Sequence, residues 1–339
     1  MSPQLSPWMR LLHYGDSSSF LEITGFTRPA FNCLKGIIFP VANGERRLVG
    51  RPRSLDETGQ LGIYLLYLGS QMKTKHLCLI FGVVPTTAND TIRKMIALVC
   101  KKLKLHPLAE ILFPDDDKMR KLAAMVQRRE PMIDNVIGFV DGLSVPVQCS
   151  DVETLQRAAY NGYHHDTMCN NVFAFSPEGK VIYAATNFPG SWHDSSVASS
   201  FVSLVIERIG YYALCVDQGF PRSGELFDKF VGPLSVKNKR KLNPEYALYI
   251  ISMHDRYISL RQASEWGMRA LQGTFSRLKS RMTSDTKKRG QIILGIVLLN
   301  NLRTELVGLN QIATVFNRHY EQCINLETYD RIERYFNNV

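Results

Sequence analysis

No CxxC pair occurs in the chain, although it carries seven cysteines, at positions 33, 78, 100, 149, 169, 215 and 323. Scattered thiols in odd number argue against a zinc ribbon and against a disulfide framework. They fit the cytosol or nucleus better than secretion. The longest apolar run, 292–299, is interrupted by Gly295 and is too short to span a bilayer, so no membrane partner is expected. A basic start followed by an apolar core is also missing, so no signal peptide is expected. Acidic charge is the minority, with 31 Asp and Glu against 41 Lys and Arg, a net charge of +10 and a pI near 9.2. That excess suits a polyanionic partner and says nothing about fold. The rest is ordinary for a globular protein: 339 residues, 45% hydrophobic and 21% charged, enough for one large core plus a smaller domain.

Residues 1–56 read as an irregular segment rich in Pro, Gly and Ser, with a short helix at 28–34. The basic stretch RRLVGRPR (46–53) reads as a solvated loop that could touch phosphates. From 57 to 130 the pattern is helical. Leu61, Tyr64, Leu65 and Leu68 recur at helical spacing, and a second helix fits 73–81. Gly82 then breaks the chain, Pro85 follows, and Thr86 or Thr87 is placed to cap a third helix through Ile92, Ile96 and Val99. Helix, glycine turn and capped helix is the layout of a helix-turn-helix, whose outward side chains here would include Arg93 and Lys94. A plain helical packing unit gives the same pattern. The acids of PDDDK (114–118) suit a helix N-terminus, where the helix dipole favours them, better than a metal site.

From 131 to 316 short apolar runs alternate with turn signals. VIGFV (136–140) is a first strand. VFAF (172–175) and KVIYAAT (180–186) form a hairpin around SPEG. YYALCV (211–216) is a fourth strand and PLSV (233–236) a fifth. A helix is expected over 195–210 and a long one over 257–281, with Gly267, Leu271, Phe275, Leu278 and Met282 as its apolar stripe. The stretch 291–316 is apolar enough to cover the sheet, and 317–339 is a tail. The fold class expected is α/β: a mixed, ribonuclease H-like sheet flanked by helices, after an all-helical N-terminal region.

In such a sheet the first and fourth strands lie side by side. Asp141 and Asp217 then end adjacent strands, with Gly142 and Gly219 allowing sharp exits. Two carboxylates there repel unless a cation lies between them. Mg²⁺ or Mn²⁺ takes oxygen ligands, and Glu265 on the long helix is a candidate third carboxylate. Each acid has a plainer reading. An Asp after a strand is a common turn residue, and Glu265 can pair with Arg261 one turn earlier. Asp194 is the alternative second ligand, or a cap of the following helix beside Ser195 and Ser196. His193 either orients a ligand or forms a structural pair with Asp194. Tyr160, Tyr163, His164 and His165 are candidates to meet DNA or support the site. Lys237, Lys239, Arg277, Lys279 and Arg281 are candidate phosphate contacts, which would make binding salt-sensitive.

Five blocks carry a resemblance: GFVDGLSVPV (138–147), YNGYH (160–164), PGSWHDSSV (189–197), CVDQGFP (215–221) and SEWGMRALQGTFSRLKSR (264–281). In this order they resemble the Harbinger-type DDE superfamily endonucleases, transposases and their domesticated relatives, over about 136–300. The resemblance implies a metal-dependent nuclease that cuts, and can join, DNA at transposon ends, with Asp141, Asp217 and Glu265 as metal ligands. It also implies double-stranded DNA as substrate, a Myb-like partner protein, self-association and a nuclear location, with the cytoplasm as alternative. A domesticated relative would keep the fold only to bind DNA or a partner.

Overall fold

A computed structural model of the chain describes residues 3–40, 54–234 and 247–316. Residues 3–38 are mostly helical, contrary to the expectation of irregular chain. A 3₁₀ turn (Pro3–Leu5) precedes α1 (Pro7–Tyr14), α2 (Ser17–Thr24) and α3 (Arg28–Ile38). Several of the Pro and Ser residues that suggest irregular chain stand at helix starts. Ser6, Asp16 and Thr27 accept backbone N–H groups of the three first turns, and a proline opens α1 and α3, where its missing N–H costs nothing. Trp8 of α1 is fully buried among Phe20, Phe31 and Phe81. The stretch 46–53 lies outside the described residues.

Next come α4 (Glu57–Gly69), α5 (Thr74–Phe81) and α6 (Pro85–Leu103). Gly82 closes α5 at φ +64°, a left-handed conformation open to glycine without strain. Neither Thr86 nor Thr87 caps α6. Val84 is the N-cap and Pro85 the first helical residue, so no side-chain cap forms. Helix α7 (Asp116–Arg129) starts at Asp115, whose carboxylate accepts from Lys118 N–H, and carries Asp116 and Asp117 in its first turn. The acids of 115–117 therefore serve the helix end, as its dipole favours.

The described sheet has six strands: β1 (Val136–Pro146), β2 (Tyr160–Asn161), β3 (Asp166–Phe175), β4 (Val181–Pro189), β5 (Ala213–Val216) and β6 (Phe230–Val231). Their order is β2-β3-β1-β5-β6, with β4 also paired to β3. The contacts of β1 with β3 and of β3 with β4 are antiparallel, while β1–β5 and β5–β6 are parallel. The fold class is thus mixed α/β. Of the expected strand 233–236, residues 233 and 234 are not in a strand and 235–236 lie outside the described residues. The last strand among the described residues is 230–231. Gly232, just past it, passes so close to the Val216 carbonyl that a side chain there would collide with it.

Helices α8 (Glu153–Ala159), α9 (Asp194–Val197) and α10 (Ser199–Arg208) connect the strands. The helix expected over 195–210 is broken at Ala198. Then follow α11 (Ala247–Thr274), a 3₁₀ turn (Ser276–Lys279), α12 (Thr286–Val307) and α13 (Gln311–Phe316). The whole predicted stripe from Gly267 to Met282 is buried.

Neighbouring strand residues face different cores. Phe139 and Cys215 enter a core shared with α1–α6 and α11–α13, and Val140 and Val216 enter one shared with α7 and α10. The first core runs from Trp8 to Phe316, so the helical N-terminal region and the sheet close over common apolar side chains. Among the described residues no helix is long and apolar enough to cross a membrane.

Asn301 of α12 locks the free side of β4. It accepts from Val181 N–H (2.8 Å) and donates to the carbonyls of Val181 (2.9 Å) and Glu110 (3.1 Å). Asn301→Ala would orphan the buried Val181 N–H and carbonyl, for a loss of about 2–4 kcal/mol. Urea denaturation of the two proteins checks this; unchanged midpoints would refute it.

Candidate active site

The parallel register of β1 and β5 pairs Val140 with Val216. The next residue on each strand is an aspartate, Asp141 and Asp217. Side chains alternate along a strand, so both acids lie on the side of Phe139 and Cys215, under α11. The expected strand end at Asp141 is corrected. β5 stops at Val216, but β1 runs on to Pro146 because β3 stays paired with it as far as Met168. Gly142 therefore makes no exit turn. A Cβ there would collide with the Asp194 carboxylate, so the glycine admits a third acid to the strand. A Cβ at Gly219 would meet nothing within 4 Å.

Asp141 is half-buried. One oxygen accepts from Gly142 N–H at 2.8 Å and the other from Ser264 Oγ of α11 at 3.3 Å. Burial pushes its pKa up to about 6, with Asp217 adding repulsion; the Gly142 hydrogen bond, Arg261 and Ser264 oppose the rise. Burial also raises Asp194, again with Asp217 adding and His193 opposing. Asp217 thus lies within Coulombic reach of both and is the acid common to them. No group of three or more His, Cys, Asp or Glu among the described residues is drawn close enough to hold an ion. The donor set still fits Mg²⁺ or Mn²⁺. It is all oxygen, and Mg²⁺ typically needs only one or two carboxylates plus substrate phosphate.

Glu265 is not drawn to these aspartates. Its oxygens pair with Arg261 at 2.6 Å and Arg269 at 3.8 Å, one helical turn to either side. The adjacent Ser264 is the residue that touches Asp141. Asp194 does not cap α9: His193 is the N-cap, without a side-chain bond, and Asp194 is the first helical residue. His193 and Tyr163 are exposed. Tyr163 and His164 donate their backbone N–H groups to Asn161 Oδ1 and set their rings edge to face at 5.2 Å.

Sequence reasoning missed the amides that fix these loops. Asn161 donates to the Gly190 carbonyl (2.8 Å), Asn170 to the Trp192 carbonyl (2.6 Å), and Ser144 Oγ to Asn170 Oδ1 (2.8 Å). They tether the turn that presents His193 and Asp194 to β1 and β3. The signal was there: Asn170 and Asn171 interrupt an apolar strand, where only a satisfied amide is tolerated.

The candidate phosphate contacts separate into three groups. Arg93, Lys94 and Lys279 are exposed, with Arg93 paired to Asp90 at 2.8 Å. Arg277 and Arg281 are committed elsewhere. Arg277 donates to the carbonyls of Tyr67 (2.8 Å) and Met72 (2.9 Å) over the Tyr67 ring, and Arg281 grips Asp166 through two bonds of 3.0 and 2.8 Å. Lys237 and Lys239 lie outside the described residues.

Asp141 within β1 and Asp217 directly after β5 are thus neighbouring acids at two adjacent parallel strands, an arrangement that could take up a divalent cation. In the comparison with known families, residues 140–301 match the family model described as DDE superfamily endonuclease. The match supports that superfamily, and with it a nuclease- or transposase-like domain that generally uses divalent metal. No curated protein and no solved structure matches the chain.

Because Asp141 titrates higher folded than unfolded, its charge costs stability as pH rises from about 4 through about 6. The cost is absent below that window and complete above it. Asp141→Asn should therefore be more stable than the parent at pH 7.5 without divalent metal, by about 1–3 kcal/mol, with the gap closing near pH 4.5. Urea midpoints at the two pH values test this; a gap independent of pH would contradict it.

Proposed function

We propose that the chain is a metal-dependent DNA endonuclease of the transposase type, with a ribonuclease H-like sheet. It cuts at transposon ends through Asp141, Asp217 and Glu265, with Asp194 as the alternative second ligand. The observation that carries the reading is the pairing of Val140 with Val216, which sets two half-buried carboxylates side by side, one held up to about 6. Like charges so placed are a cost to the resting protein and a reason to take up a cation.

Mg²⁺ or Mn²⁺ bound there would polarise the scissile phosphate and lower the pKa of an attacking water. The protein's own groups do the rest. Asp141, within β1, and Asp217, the residue directly after β5, would hold the ion from adjacent strands. Ser264 and Gly142 N–H orient the Asp141 carboxylate. His193, Tyr163 and His164 sit on loops tethered beside Asp194 and would meet the DNA strand at the cut. Exposed Arg93, Lys94 and Lys279 would neutralise phosphates away from it, with Lys237 and Lys239 adding charge. A freed 3′-hydroxyl attacking target DNA at the same acids would give joining. The reading includes a Myb-like partner for end recognition, self-association and a nuclear location.

One observation favours a second reading. Glu265 is paired with two arginines rather than turned to the aspartates, as it would be in a domesticated protein that binds DNA or a partner without cutting. Cleavage of terminal-repeat DNA under Mg²⁺ and Mn²⁺, with the partner present, separates the two. Asp141→Asn and Asp217→Asn are each expected to lower the rate by roughly a hundredfold or more, as removal of a group stabilising transition-state charge does. Equal inertness of parent and Asp141→Asn would establish the binding reading instead.

A further inference from the structure

Arg261, Ser264 and Glu265 occupy one face of α11, at the i, i+3 and i+4 spacing that makes helical side chains neighbours. Ser264 reaches Asp141 and Arg261 reaches Glu265. The Arg261 charge is also felt at Asp141 and at Cys215, two residues of the sheet face beneath the helix. Arg261 is therefore paired with the helix acid and within Coulombic reach of one strand acid, Asp141. Its side chain is 32% exposed and that of Glu265 34%, whereas Arg269, the second partner, is 74% exposed and 3.8 Å away. The inner pair is the closer and less screened one.

We propose that Arg261 is a built-in counter-ion that occupies the divalent cation's electrostatic role in the metal-free protein and must release Glu265 before Glu265 can join the strand acids. The inference rests on the metal reading above. It explains how Glu265 can be both arginine-bound and a ligand: the guanidinium holds the third acid in reserve. A cation attracted by Asp141 and Asp217 replaces the positive charge that Arg261 supplied. Until then the pairing withholds one carboxylate, so the apparent affinity is reduced by the fraction of molecules in which Glu265 is free. Arg261 is in this account a positioning residue acting through Glu265.

The test is calorimetric titration of Mn²⁺ into the intact metal-free chain and its variants, with circular dichroism to show each is folded. Arg261→Gln should bind Mn²⁺ about tenfold more tightly than the parent, the range expected when a pre-organising change removes a competing state. Arg261→Lys, which keeps the charge without the planar fork, should fall between the two. Arg269→Gln should change little. In a Glu265→Gln background the Arg261→Gln effect should vanish. Equal or weaker binding by Arg261→Gln overturns the proposal, as does an effect that persists without Glu265, which would mark general charge repulsion. If the parent and Asp141→Asn both fail to bind Mn²⁺, the metal reading falls first and this inference with it. If Asp141→Asn alone loses binding while Arg261→Gln matches the parent, only the inference fails.

Discussion

The parallel pairing of β1 with β5 is the constraint on which the candidate site depends. A parallel ladder carries paired residues in the same direction on the same face, so two aspartates one step beyond a paired Val140 and Val216 cannot avoid each other. The resting protein answers with what surrounds them: a backbone N–H, the Ser264 hydroxyl and the Arg261 guanidinium, each favouring ionised Asp141 against burial and Asp217. Strain of this kind is tolerated in a large core because it is local, while cohesion is spread over the whole molecule.

That cohesion comes from a core extending well beyond the site. The family match begins at residue 140, yet Phe139, Phe173 and Phe175 of the sheet share one apolar cluster with Trp8, Tyr64 and Phe81 of the N-terminal helices. α12 packs against both α6 and β4, and α11 lies across β1 and β5. At Gly267 the helix comes so near the Phe175 ring that a Cβ would stand 2.8 Å from it. This close approach brings Ser264, one turn earlier, within reach of Asp141. The helical region thus buttresses the sheet as well as presenting α6 to solvent.

Much of this architecture was legible from periodicity. The helices at 57–69, 74–81 and 116–129, the β3–β4 hairpin and the adjacency of the first and fourth strands followed from hydrophobic pattern and strand order. The misreadings have a common cause. Pro, Gly and Ser in the first 56 residues suggest loops, yet Ser6, Pro7 and Pro29 stand at helix starts, because the same residue types serve both ends of that choice. Gly142 suggested a turn, and its neighbour Asp194, half a hundred positions away, was the real reason a side chain is excluded there.

What the sequence alone determined was local: which stretches are helix or strand, which acids follow apolar runs, and the order of five motif blocks. Those depend on neighbours within a few residues, whose spacing the chain itself carries. Only the tertiary structure decided the company those acids keep. Asp194 lies against β1, Ser264 reaches Asp141, and of the two roles the sequence left open to Glu265, the local pair with Arg261 is the one formed. Such meetings depend on helix rotation, strand register and competition among charges, and a single linear sequence does not encode these in any local pattern.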